Sequence, residues 1–212
     1  MKRRKLRVGR LAILIAILAC IAFLVVTGIT KLVSHLTTSK EITTEEKTIN
    51  ELDYSEMKEF DFDLHSQGYM LVRINDFKVL YGKNLEEQFY PASLTKVVTL
   101  DTVINDEIDL NDTSYITSDD YNNLIDADAS LAGLKVNYDY SISDLLYALI
   151  LPSGGDAALA LENYYTNNDM NLVDDMGKLS EKLNLENSSF INTTGLHQGN
   201  LYTTLNDYSK VC

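Results

Sequence analysis

Residues 90–100 read YPASLTKVVTL. A serine follows Pro-Ala, a lysine comes three positions later, and an apolar run follows. A surface loop has no need of that order, whereas a helix that opens on a nucleophile does. Pro91 stands just before the helix, where a missing N–H costs little because the first turn has unpaired donors anyway. Val97, Leu100, Val103 and Ile104 recur on one stripe, which predicts a helix from Ser93 to about Glu107. On that helix Ser93 and Lys96 share a face, with about 5–6 Å between their Cβ atoms. A serine hydroxyl is a poor nucleophile at neutral pH. An adjacent amine can take its proton once desolvation and nearby charge have lowered the amine's pKa. The N-terminal helix dipole also favours the developing alkoxide. The unit Ser93-Leu94-Thr95-Lys96 therefore suits acyl transfer. Four letters do not decide the matter, because Ser55-Glu56-Met57-Lys58 has the same spacing. That second match lies in a charged stretch with no apolar stripe behind it.

Outward from this helix, GYMLVRI (68–74) and KVLYGKN (78–84) flank Asn75-Asp76-Phe77 and predict a β-hairpin. On the other side, NDTSYITSDDYNN (111–123) reads as turn-rich. Ser141 to Asp144 has a capping-box pattern and opens a second helix, with Leu145, Leu146, Leu149 and Ile150 as its buried face. Pro152 ends that helix, Ser153-Gly154-Gly155 makes a tight connection, and a third helix starts at Asp156. A fourth runs from about Leu172 to Leu183. Phe190-Ile191 reads as extended, Thr194-Gly195-Leu196 as a turn, and another helix begins near Thr203. No internal repeat is evident.

The chain has 212 residues, 45% of them apolar, enough for one domain with a real core plus an appendage. The tail MKRRKLRVGR (1–10) holds six basic residues and no acid. LAILIAILACIAFLVVTGI (11–29) holds no charge. At about 1.5 Å per residue this run nearly crosses a hydrocarbon core, and the basic flank predicts a cytoplasmic N-terminus with the rest outside. Its length and the lack of an A-x-A site favour a retained single-pass anchor over a cleaved signal peptide or a lipid on Cys20. Residues 30–60 are polar and charged and read as a tether, which places the domain at 61–212. Without the basic tail the chain holds 12 basic against 31 acidic side chains. Such a surface does not bind nucleic acid through phosphates. The plainest reading of that charge is solubility. The two cysteines and three scattered histidines form neither a disulfide framework nor a metal spacing.

From GYMLVRI onward the chain resembles the serine D-alanyl-D-alanine carboxypeptidases, a penicillin-binding family. The hairpin followed by YPASLTK, then SISDLLYALILPSGGDAALALE (141–162), then NLENSSFINTTGLHQGNLYTTLNDYSK (184–210) are similar to successive stretches of that family, in the right order. The resemblance implies an α/β (α+β) fold, β-lactamase/DD-peptidase-like, with a helical lobe packed on an antiparallel sheet. It implies Ser93 as nucleophile, Lys96 as its base, and Ser153 as the group passing protons to the leaving amine. It also puts Gly155 at a substrate-binding position. The substrate implied is a peptidoglycan stem peptide, with β-lactams as inhibitors and with no metal or organic cofactor.

Two departures stand out. Gly155 occupies the place of the asparagine in the family's S-x-N motif, and losing that amide is expected to weaken activity about ten- to a hundredfold. Tyr121-Asn122-Asn123 offers a Y-x-N reading but comes too soon after Ser93. No Lys-Thr-Gly occurs, and the chain stops at Cys212 with only one hairpin of the expected sheet, so it reads as cut short, with a short complete variant as the alternative. His197 reads as structural, and the sequons at Asn111, Asn187 and Asn192 as chance. A β-lactamase and a non-catalytic cell-wall or β-lactam-binding module are the rival functions.

Overall fold

The computed structural model describes residues 51–212. The basic tail, the apolar run 11–29 and the tether up to residue 50 lie outside the described residues. Among the described residues no helix is long and apolar enough to cross a membrane.

The hairpin forms as the sequence indicates. Strand β1 (Tyr69–Arg73) pairs antiparallel with β2 (Lys78–Lys83), from Tyr69 opposite Lys83 to Arg73 opposite Lys78, with a bulge between Leu71 and Val72. The expected tether, however, ends earlier than residue 60. Asp53 exchanges hydrogen bonds with Phe77 and Val79 on the outer edge of β2, and Lys58 does so with Leu80 and Gly82. Phe60 stacks on Tyr81 with ring centroids 4.2 Å apart. Charged side chains around these contacts masked the segment's role, because backbone pairing leaves no trace in composition. The partnership also gives the hairpin a second neighbour along β2, where an isolated hairpin is marginal in water.

A 3-10 turn (Ala92–Leu94) leads into helix α1 (Thr95–Asn105). The buried face of α1 differs from the expected stripe. Thr95, Val98, Thr99, Thr102 and Val103 face the core, Val97 and Leu100 are half-buried, and Ile104 is exposed. Thr102 Oγ1 bonds within the helix, to the Val98 carbonyl at 2.8 Å, and Thr99 Oγ1 donates across to the Thr193 carbonyl at 3.0 Å, whereas Thr95 Oγ1 is buried with no partner among the described residues.

The segment read as turn-rich contains a short strand β3 (Thr113–Ser114) and a helix α2 (Ser118–Asp126). Thr117 caps α2 by accepting from the Asp120 N–H, Asp119 and Asp120 stand where the dipole favours acids, and Leu124 is its one buried residue. Tyr121-Asn122-Asn123 therefore lies within a helix rather than a loop. Strand β4 (Tyr140–Ser141) pairs with β3.

Ser141 then caps α3 (Ile142–Ile150), accepting from the Asp144 N–H at 3.1 Å, as the capping pattern indicates. Ile142, Leu145, Leu146 and Leu149 bury, whereas Ile150 stays partly exposed. Helix α4 (Gly155–Asn167) packs against α3 through the fully buried Ala157, Ala158, Ala160 and Leu161. Helix α5 (Leu172–Lys182) adds Leu172, Met176 and Leu179, and its contacts with α1 close the core. Gly177 lies exposed inside α5, and a Cβ there would meet nothing within 4 Å. Gly177→Ala is expected to stabilise the domain by about 0.5–1 kcal/mol in urea unfolding, by removing backbone entropy.

The final stretch returns to the hairpin side. Phe89 and Thr203 exchange backbone hydrogen bonds at 2.9 and 3.0 Å. Helix α6 (Leu205–Ser209) is capped by Thr204, and its Tyr208 hydroxyl donates to the Leu94 carbonyl at 3.1 Å. Both ends of the turn carrying Ser93 are thus tied to the last segment of the chain.

Candidate active site

Ser93 sits in the middle of the 3-10 turn and is exposed, while Lys96, one turn on, is 4% exposed. Lys96 Nζ lies 3.2 Å from Ser93 Oγ and donates to the Thr194 carbonyl at 2.7 Å. Burial holds the Lys96 amine below the ordinary lysine range, and the negative charge of Asp156 pulls it only part of the way back. A neutral amine offers two N–H groups and one lone pair. Giving one N–H to a fixed carbonyl restricts rotation about the terminal bond and lets the lone pair face the serine. In its neutral form the amine is a proton acceptor held against an accessible hydroxyl.

The carbonyl that holds Lys96 belongs to a loop folded tightly on itself. Asn192 Oδ1 accepts from the Gly195 N–H at 2.7 Å, and Asn192 Nδ2 donates to the Leu196 carbonyl at 3.0 Å. Thr193 and Thr194 are buried. Gly195 has φ +76°, and a Cβ there would stand 1.9 Å from the Ala92 carbonyl oxygen. Only glycine permits this approach, which presses the loop against the backbone just before Ser93. Sequence reasoning placed a turn here but missed its role toward Lys96. The only local signal was Asn192 three residues before Gly195. His197 packs edge-on against Tyr90, ring centroids 4.3 Å apart.

Ser153 lies in the connection between α3 and α4, in a left-handed conformation with φ +60°. Its Oγ is buried and has no hydrogen-bond partner among the described residues, so it bonds to neither Ser93 nor Lys96. A left-handed non-glycine residue costs about 1–2 kcal/mol and an unpaired buried hydroxyl about 1–3 kcal/mol. Two costs at one residue mark a position shaped by something other than stability.

Asp156, fully buried at the start of α4, drew no attention in the sequence beyond marking the helix start. Its carboxylate accepts from the backbone N–H groups of Ala132, Gly133 and Leu134 at 2.8–2.9 Å and from that of Ala157 at 3.1 Å. It thereby ties the loop before β4 to the helix that follows Ser153. Gly155 packs beneath that loop, donating its N–H to the Ser130 carbonyl at 2.7 Å. A Cβ at Gly155 would approach Leu124 Cδ2 to 3.2 Å and the Ser130 carbonyl oxygen to 3.3 Å. The neighbourhood has closed around the missing side chain. Gly155→Asn is therefore expected to lower stability by about 1–3 kcal/mol, as overpacking does. It is not expected to accelerate acylation, and combining it with Leu124→Ala should relieve the crowding. Urea unfolding and acylation kinetics check both statements.

An exposed serine beside a buried lysine whose pKa is lowered, on the first turn of a helix between a hairpin and a helical lobe, defines the class of penicillin-binding serine peptidases. The family model of the D-alanyl-D-alanine carboxypeptidases matches residues 53–212, and the chain belongs to that family. It is 29% identical over 146 residues to D-alanyl-D-alanine carboxypeptidase DacF of Bacillus subtilis, covering 67% of this chain and 36% of the relative. To DacA of Haemophilus influenzae it is 31% identical over 151 residues, covering 69% and 38%. Among solved structures it is similar to penicillin binding protein 5 from Haemophilus influenzae, with a TM-score of 0.65 at 28% identity, covering 73% of this chain and 46% of the other. The Streptomyces K15 DD-transpeptidase gives 0.62 at 28% identity, covering 68% and 57%. The chain spans a little over a third of the length of the curated relatives it matches.

Proposed function

We propose that the chain acts as a serine D-alanyl-D-alanine carboxypeptidase on peptidoglycan stem peptides. Ser93 Oγ attacks the carbonyl carbon of the penultimate D-alanine while its proton passes to Lys96 Nζ. The C–N bond breaks, and the terminal D-alanine leaves with a proton relayed by Ser153. Water then attacks the ester, Ser93 recovers its proton, and the shortened peptide departs. Side chains and water supply all of this chemistry. β-Lactams acylate Ser93 through the same attack on their strained amide. The observation that carries the reading is the 3.2 Å contact between a buried amine, its pKa lowered by burial, and an exposed hydroxyl.

The test is release of D-alanine from a peptide ending in D-Ala-D-Ala by the full chain, with Ser93→Ala as control. Release that depends on Ser93 supports the proposal. Because burial lowers the Lys96 pKa, the base form appears at lower pH than for a free lysine. Acylation should therefore rise with pH through that lowered value and then level off, with the rise gone in Lys96→Met. A folded chain that releases no D-alanine argues for the rival reading, a non-catalytic cell-wall or β-lactam-binding module. The crowding around Gly155 favours that rival. Rapid hydrolysis of a β-lactam without D-alanine release argues for a β-lactamase.

The basic tail and the uncharged run 11–29 support a further part of the proposal: a single-pass anchor that places the domain on the extracytoplasmic side of the cell membrane. Retention of the full chain in the membrane pellet after alkaline carbonate washing is the expected result. Recovery in the supernatant contradicts it.

A further inference from the structure

We infer that Glu162 is a positioning residue for the Lys96–Ser93 pair, acting through Thr193 and the Thr194 carbonyl. The inference deepens the reading of Lys96 as base and names the group that sets its orientation.

Glu162 lies on α4, with no direct hydrogen bond to Ser93 or Lys96. Its Oε1 accepts from the Thr193 hydroxyl. From the opposite side, Thr99 Oγ1 on α1 donates to the Thr193 carbonyl at 3.0 Å. The peptide units around Thr193 are therefore held by α4 through an acid and by α1 through an alcohol. The next carbonyl along, that of Thr194, receives the Lys96 N–H at 2.7 Å. Moving that carbonyl by a fraction of an ångström turns the amine and misaligns its lone pair with Ser93 Oγ.

The choice of residue has a physical reason. A carboxylate can accept from the Thr193 hydroxyl with either oxygen, whereas an amide side chain in its place offers one oxygen and presents N–H donors of its own. Burial pushes the Glu162 carboxyl up, with the negative Asp120 nearby adding to that rise, and hydrogen bonding from Thr193 opposes it. Keeping an acid partly out of water at this spot costs stability, and a purely structural latch has cheaper solutions. Its position, two links from the amine along hydrogen bonds, makes sense as control of geometry.

The variants are Glu162→Gln, Thr193→Val, which removes the hydroxyl at nearly constant shape, and Thr193→Ser, which keeps it. Glu186→Gln, on an exposed residue, is the control. Each is made in the full chain and read in two ways. One is the rate and final extent of labelling by a fluorescent penicillin at saturation. The other is the titration of the 13C-labelled Lys96 side chain by NMR. Glu162→Gln and Thr193→Val are expected to slow acylation about tenfold or more, as loss of a charge-assisted hydrogen bond does, with the final labelled fraction unchanged. The Lys96 midpoint should fall in both, because a carbonyl acceptor favours the charged amine. Thr193→Ser and Glu186→Gln should match the parent. Parental rates and titration in Glu162→Gln and Thr193→Val overturn the inference. A reduced labelled fraction at parental rate also overturns it, since that marks a merely structural role. If the parent takes up no penicillin but the Lys96 midpoint moves as stated, the acyl-transfer reading fails and the positioning inference stands.

Discussion

Replacing Lys96 with methionine is expected to slow acylation by roughly a hundred- to ten-thousandfold, the range supplied by a positioned general base. The same change should raise stability at neutral pH. The side chain is buried, no carboxylate forms an ion pair with it among the described residues, and its charged form is disfavoured in the folded state. Unfolding returns the amine to water and to its ordinary pKa of 10.5. Between the lowered folded value and 10.5 the unfolded chain binds more protons than the folded one, so parental stability rises with pH across that window. Below the window the penalty of the buried charge is present in full, and above it the penalty is gone. Lys96→Met should thus melt higher than the parent at neutral pH and lose that advantage as pH approaches the upper limit. Melting curves across pH, paired with acylation rates, check both halves. A variant that is both inactive and less stable at neutral pH contradicts the account of Lys96 as a buried base of lowered pKa.

Gly195→Ala carries the largest expected structural effect. A left-handed backbone at a non-glycine residue costs about 1–2 kcal/mol, and overpacking adds about 1–3 kcal/mol. Here the added carbon would meet the Ala92 carbonyl oxygen at 1.9 Å, its carbon at 2.5 Å and the Ser93 nitrogen at 3.1 Å, all of them backbone atoms. No side-chain rotation relieves that clash. The loop must back away from Ser93 and take the Thr194 carbonyl with it. The expected loss is therefore about 2–5 kcal/mol in denaturant unfolding, with acylation falling even in the fraction that stays folded. Gly177→Ala, in open space, gives the opposite sign and shows that the effect is not a general response to alanine.

The parts of the site that were legible in the sequence are those set by local geometry. Ser93 and Lys96 meet because spacing of three on a helix brings them together, and the Ser141 cap is likewise local. Pro152 and the two glycines after Ser153 mark the break between α3 and α4 for the same reason. Helix α2 was hidden because aspartate, serine and asparagine serve turns and helix starts equally, and only one of its residues buries. The burial of Thr95, Thr99 and Thr102 in place of Ile104 reflects tertiary packing, which overrides a hydrophobic stripe and here gives Thr102 a partner in its own helix and Thr99 one on the loop at Thr193. The Thr194 carbonyl and the Asp156 and Glu162 carboxylates act across gaps of 98, 24 and 31 residues. No periodicity encodes such contacts. The charged stretch 51–60 was likewise opaque, because its partners on β2 are backbone groups common to every sequence.

The most direct measurement is intact mass of the full chain after brief exposure to a penicillin, followed by peptide mapping. A hydroxyl activated by the amine beneath it predicts one adduct of the drug's mass, located on Ser93, absent in Ser93→Ala and nearly absent in Lys96→Met. A folded chain that takes up no drug, or an adduct on any other residue, contradicts the account.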